Sequence, residues 1–261
     1  MMTMVSPLRR LLEHPLTGSC DIDDPRTTML RRRIVREKPF LRSIYEEWYS
    51  RLAGAVPDGP GAVLELGSGP GFLREFIPNV ITSEVFVTPG VDVVIDGGRL
   101  PFREGALRAI VMTDVFHHLS RVREFLSEAT RCVRPAGVLA MVEPWVSRWS
   151  RLVYTRLHHE PFIPDAGEWE FPPTGPLSGA NGALPWIVFG RDVERFRQEF
   201  DGWRLRAVEP MMPIRYLLSG GVSLRGLVPD WTYGAWARVE AAAQPWMATL
   251  GMFAYVELER V

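Results

Sequence analysis

Apolar and polar positions change period several times along the chain. Between residues 38 and 52, Leu41, Ile44 or Tyr45, Trp48 and Leu52 recur at helical spacing, and Pro39 suits a first turn, so a helix is expected there. The tract from Gly54 to Gly61, with Pro57 and Pro60, breaks it. Short apolar runs at 62–66, 80–84, 91–96, 109–114 and 138–142 read as five strands. Helices are expected at 72–76 and 122–133, the latter with Val122, Phe125, Leu126 and Ala129 on one face. Further on, the pattern gives a helix over 191–200, a strand over 203–208, a helix over 233–250 and a strand over 252–258. Residues 1–34 show no clear period. Strands alternating with helices predict an α/β fold, a seven-stranded, mostly parallel sheet with helices on both faces.

The rhythm fails over 145–189, where Pro161, Pro164, Pro172, Pro173, Pro176 and Pro185 accumulate. A long irregular stretch in a compact domain is usually functional, which points to a lid inserted after the fifth strand. The expected division is an N-terminal helical cap over 1–58 and a main domain over 59–261 that carries the lid. A net charge of −1 removes the broad basic footprint of a nucleic-acid binder. Two cysteines, Cys20 and Cys132, supply neither a disulfide framework nor a zinc-site spacing. Arg9 and Arg10 interrupt the N-terminal apolar residues too early for a signal peptide, and no apolar run is long enough to span a membrane. A cytoplasmic protein is expected, with peripheral membrane contact and oligomeric state left open.

The chemistry concentrates in Glu65-Leu66-Gly67-Ser68-Gly69-Pro70-Gly71, between a predicted strand and a predicted helix. Glycines let the backbone take positive φ and let a ligand approach closely, at the carboxyl ends of parallel strands where such sheets bind ligands. Acids end the next strands at Glu84, Asp96 and Asp114. The third glycine comes one residue too early for the dinucleotide fingerprint, which disfavours an NAD-type oxidoreductase.

With residues 63–71, Asp96 and Leu100-Pro101-Phe102, Asp114 and His117-His118-Leu119, Glu128, Arg131, Arg134-Pro135-Ala136-Gly137 and Glu143-Pro144, the chain resembles the class I S-adenosylmethionine-dependent methyltransferases, near the ubiquinone and menaquinone methyltransferases. The resemblance covers roughly 60–145 and implies a Rossmann-like fold, with S-adenosylmethionine as cofactor and S-adenosylhomocysteine as product. It also implies that Gly67, Ser68, Gly69 and Gly71 wrap the methionine part, that Glu65 lies beneath the loop and that Glu84 accepts from the ribose hydroxyls. Asp96 would meet the adenine amino group, with Gly97 allowing close approach, and Asp114 would border the methionine end. Relatives mostly have Gly-Gly where this chain has Ala136-Gly137, a change confined to a turn.

Methyl transfer to oxygen or nitrogen requires alignment, exclusion of water and removal of a proton. Histidine is the usual base near neutral pH, so His117, His158 and His159 are the candidate catalytic residues. Tyr45, Trp145, Glu160, Trp169 and Asn181 are candidate substrate contacts, aromatic walls suiting a ring or sugar face. His158, His159, Glu160 and Asp165 could be imagined around an ion, but adjacent histidines seldom converge, and no metal is assigned. Thr113-Asp114-Val115-Phe116 stands where enzymes that methylate exocyclic amines show Pro-Pro-aromatic, so a hydroxyl on a sugar, lipid-linked or natural-product small molecule is the expected acceptor, and nucleic acid is not. A non-catalytic cofactor-binding protein is the remaining alternative.

Overall fold

The computed structural model describes residues 23–261, apart from 70, 158, 159, 173, 174 and 176–178. His158 and His159 therefore lie outside the described residues.

Helix α1 (Pro25–Glu37) leads into α2 (Pro39–Ala55). Five strands follow, β1 (Ala62–Leu66), β2 (Val80–Glu84), β3 (Val93–Val94), β4 (Leu107–Thr113) and β5 (Val133–Pro144), with α3 (Val122–Cys132) between the last two. Then come α4 (Arg148–Leu157), α5 (Val193–Glu199), β6 (Trp203–Met211), α6 (Arg215–Ser219), α7 (Tyr233–Ala242) and β7 (Phe253–Arg260). The sheet order is β3-β2-β1-β4-β5-β7-β6. The first five strands are parallel, and β7 runs antiparallel between β5 and β6. This is the expected Rossmann-like, seven-stranded, mostly parallel sheet.

Strand alternation decides what each helix covers. Leu64, Ile110, Met112, Leu139 and Met141 join a core with Phe125, Leu126 and Ala129 of α3. Their neighbours Val63, Ala109, Val111, Val138 and Ala140 face the other way, onto Leu41, Ile44, Trp48 and Leu52 of α2. Both faces are buried, as a parallel sheet requires, so α2 completes the main sheet's second face.

Some elements differ from the sequence reading. Helix α1 arises where no period was visible, because Arg31, Arg32 and Arg33 interrupt the apolar pattern. Its start is nevertheless coded: Pro25 occupies the first turn and the Asp24 carboxylate accepts from the Arg26 N–H at 2.8 Å. The helix expected at 72–76 is a single tight turn, Leu73–Glu75, since Phe72 departs from helical φ and Pro78 restricts what precedes it. The helix expected over 233–250 breaks before Pro245. Within the lid, α4 and a π-helical turn, Ile187–Arg191, were not anticipated.

Candidate active site

The β1 strand ends in Leu66, and the chain reverses through Gly67 (φ +66°) and Gly69 (φ +46°). The Ser68 N–H donates to the Ser83 carbonyl at 2.7 Å, and the Ser83 N–H donates to the Ser68 hydroxyl at 3.1 Å, fastening the loop to the end of β2. The Gly69 N–H donates to Glu84 Oε1 at 2.6 Å and the Val85 N–H to Oε2 at 3.1 Å. Burial raises the Glu84 carboxyl, and these two backbone donors hold it back. Glu65 lies fully buried beneath the loop, pushed up to about 7 by burial and restrained by the Ser68 hydroxyl.

One cavity of about 720 Å³ opens on this loop. Glu65, Gly67, Ser68, Gly69, Glu84, Asp96, Gly97 and Asp114 all line it, so eight of the residues carried over by resemblance converge. Asp96 is exposed at the mouth and accepts from the Gly98 N–H at 2.9 Å. Gly71 is the exception, since it does not line the cavity. Its N–H closes the turn onto the Ser68 carbonyl at 2.8 Å, and a side chain there would fall on the Tyr49 hydroxyl. It packs against Tyr49 outside the cavity lining.

The same cavity is also lined by Tyr45, Tyr154, Tyr216 and Met252, which form its aromatic chamber, by Arg31, and by Gly220–Leu224, here called its roof. Lys38, at the α1–α2 junction, donates to the Gly221 carbonyl at 2.6 Å and the Leu224 carbonyl at 2.9 Å, which holds the roof down. Asp114 takes a left-handed backbone (φ +61°), tolerable for Asp, and its carboxyl is pushed up to about 6 by burial, against the attraction of His117.

Three acid–base groups meet at the junction of loop and chamber. His118 lines the cavity; its Nδ1 donates to the Gly179 carbonyl at 3.2 Å, and burial, reinforced by His117, drives it down to about 3, so it is neutral. Glu160 also lines the cavity, as expected. His117 is 1% exposed and does not line it. Burial disfavours charge on His117, yet hydrogen bonds to Glu143 and Glu160 overcome this and raise it well above an ordinary imidazole. Held in that way it is a poor free base, and among the described histidines His118 is the one that lines the cavity.

Three expected substrate contacts are corrected by their surroundings. Trp145 is buried in the core. Trp169 is fully buried, donates to Asp192 at 2.9 Å and lies beneath the guanidinium groups of Arg123 and Arg195. The Asn181 side chain accepts from the Ile163 and Ala183 N–H groups and so braces the lid. Lid tryptophans read from sequence as pocket walls are core instead. The actual walls, Tyr154, Tyr216 and the roof loop, come from scattered segments without a local motif.

Sheet order, glycine turn and cavity define a class I methyltransferase fold. Residues 64–141 match the family model described as a methyltransferase domain. No curated protein matches the chain. Among solved structures, geranyl diphosphate C-methyltransferase from Streptomyces coelicolor A3(2), in complex with Mg²⁺, geranyl diphosphate and S-adenosyl-L-homocysteine, is 10% identical, with 96% of this chain and 89% of that one covered and a TM-score of 0.53. A putative methyltransferase from Haloferax volcanii, in complex with the Trm112 methyltransferase activator, is 12% identical, with 93% and 99% covered and a TM-score of 0.53. The protein is a methyl-transferring enzyme with S-adenosylmethionine as its cofactor.

Proposed function

We propose that this enzyme methylates a hydroxyl oxygen of an uncharged small molecule held between Tyr45, Tyr154, Tyr216 and Met252. The observation that carries the reading is the continuity of the cavity. The glycine loop, the Asp114–His118–Glu160 cluster and the aromatic chamber share one cavity.

With the sulfonium cradled by the loop, an acceptor oxygen lone pair attacks the methyl carbon. The C–O bond forms as the C–S bond breaks, the bonding pair returns to sulfur as S-adenosylhomocysteine, and the hydroxyl proton leaves to the acid–base cluster. The protein's share is alignment, exclusion of water and a place for that proton. Acids at the junction disfavour an acceptor with phosphate or carboxylate at its reacting end, and tyrosine faces suit a ring, such as a sugar, quinol or other natural product, free or lipid-linked. The net charge of −1 weighs against nucleic acid. The motif set favours kinship with the quinone methyltransferases and a cytoplasmic setting.

Calorimetric titration with S-adenosylmethionine and S-adenosylhomocysteine, with Gly69→Arg as control, tests the cofactor. Mass spectrometry of hydroxylated acceptors incubated with the enzyme tests the reaction. Methylation confined to amines or carbon centres would overturn the oxygen assignment.

A further inference from the structure

Resting on the function proposed above, we infer that His117, His118 and Glu160 form a binding site for a divalent transition-metal cation, at the point where the acceptor hydroxyl meets the methyl group. One donor atom from each of the three lies within 4.8 Å of the other two. His117 Nε2 and Glu160 Oε2 are 3.5 Å apart, matching two ligands on one ion with bonds of about 2.0–2.2 Å.

The arrangement behind these donors points the same way. His117 Nδ1 donates to Glu143 Oε2 at 2.8 Å, and Glu143 is itself fixed because its Oε1 accepts from the Val115 and Phe116 N–H groups, both at 2.7 Å. His118 Nδ1 donates to the Gly179 carbonyl. Each ring thus spends its Nδ1 proton on an oxygen, so that Nε2 is the nitrogen presented to an ion, which at His117 replaces the proton shared with Glu160. Metal-binding histidines are oriented in this manner by carboxylates and carbonyls. Adjacency of the two histidines, a reason to doubt convergence in a helix or strand, is overcome by the tight turn Phe116–His118, which sets their ring centroids 4.1 Å apart.

Two imidazoles and a carboxylate favour Zn²⁺, Mn²⁺, Fe²⁺ or Co²⁺ over Mg²⁺ or Ca²⁺. Glu160 and His118 line the cavity, so the positions left open face the acceptor. There the ion orients the hydroxyl and eases loss of its proton, which passes to Asp114.

The test titrates chelator-treated full-length protein with Co²⁺, following visible absorption, and with Zn²⁺, followed by calorimetry, each at pH 7.5. The expected result is one equivalent bound, weakened at least tenfold in Glu160→Gln and in His118→Asn, with Glu143→Gln weakened in the same direction. Cofactor binding by each variant shows that it is folded. Absence of Co²⁺ bands, or bands unaffected by Glu160→Gln and His118→Asn, overturns the site and leaves His117 a buried imidazolium. Metal binding without S-adenosylmethionine binding would instead sink the function on which the inference rests.

Discussion

Two glycines in one loop separate ligand contact from packing. A side chain at Gly69 would meet only ordinary contacts, Glu84 Oε1 nearest at 3.7 Å, though on a left-handed backbone, whereas Gly71 abuts Tyr49 and the Ser68 carbonyl. Gly71→Ala should therefore cost about 1–3 kcal/mol of stability by overpacking, and Tyr49→Phe, which removes the struck oxygen, should recover part of it. Gly69→Ala, held at a left-handed φ, should cost about 1–2 kcal/mol of stability and lose cofactor affinity. Denaturant titration and calorimetry on the set check this, and no recovery in the double variant would refute the Tyr49 account. Glu65 offers a pH test. Its folded value, about 7, lies above the ordinary 4.5, so its contribution to stability is complete below 4.5 and is lost as pH rises to about 7. Glu65→Gln should flatten that decline, worth on the order of a few kcal/mol; parallel stability curves between pH 4.5 and 8 would exclude it. At this scale the convergence of the loop and the strand-end acids on one cavity was legible because these residues are consecutive or end predicted strands. Trp169 misled because an aromatic residue carries the same signal in a core as in a wall.

Among the elements, α6 depends on a buried ion network. Arg215 donates to Glu240 of α7 at 2.5 Å, and to Glu47 of α2 and the Tyr233 hydroxyl at 2.6 and 2.7 Å. Arg215 and Glu240 side chains are 6% and 4% exposed, so removing one partner strands the other. Arg215→Met should cost about 3–5 kcal/mol in chemical denaturation. Because α6 precedes the roof loop, the variant should also expose that loop to faster hydrogen exchange. A loss under 1 kcal/mol would show that the network is solvent-screened. Long periodic elements such as α2 and β4 were readable from pattern alone. Helix α1 was not, since its basic stripe hides the apolar face that it buries beside the cavity, and β3 shrank to two residues at the sheet edge.

For the molecule as a whole, a cavity bounded by α1, the glycine loop, the lid and the roof predicts strong coupling of ligand to stability. S-adenosylhomocysteine at about a hundred times its dissociation constant should stabilise the protein by about 2.7 kcal/mol, read as a rise in Tm that Gly69→Arg abolishes. No rise with the native chain would contradict a single cavity built from these segments. The sheet order was legible only as mostly parallel. That β7 turns back between β5 and β6 depends on pairing across distant segments, which no local period records. This insertion has a consequence for biosynthesis. Among the described residues strand β6 pairs only with β7, so a ribosome releases residues 203–211 well before that partner exists. During that interval Trp203, Leu205 and Val208 form a tract open to wrong pairing. Arg204 and Arg206, which later meet Glu257 and Glu259, interrupt it. Charges placed in this way act as gatekeepers of a nascent strand, guarding translation before they serve the finished sheet.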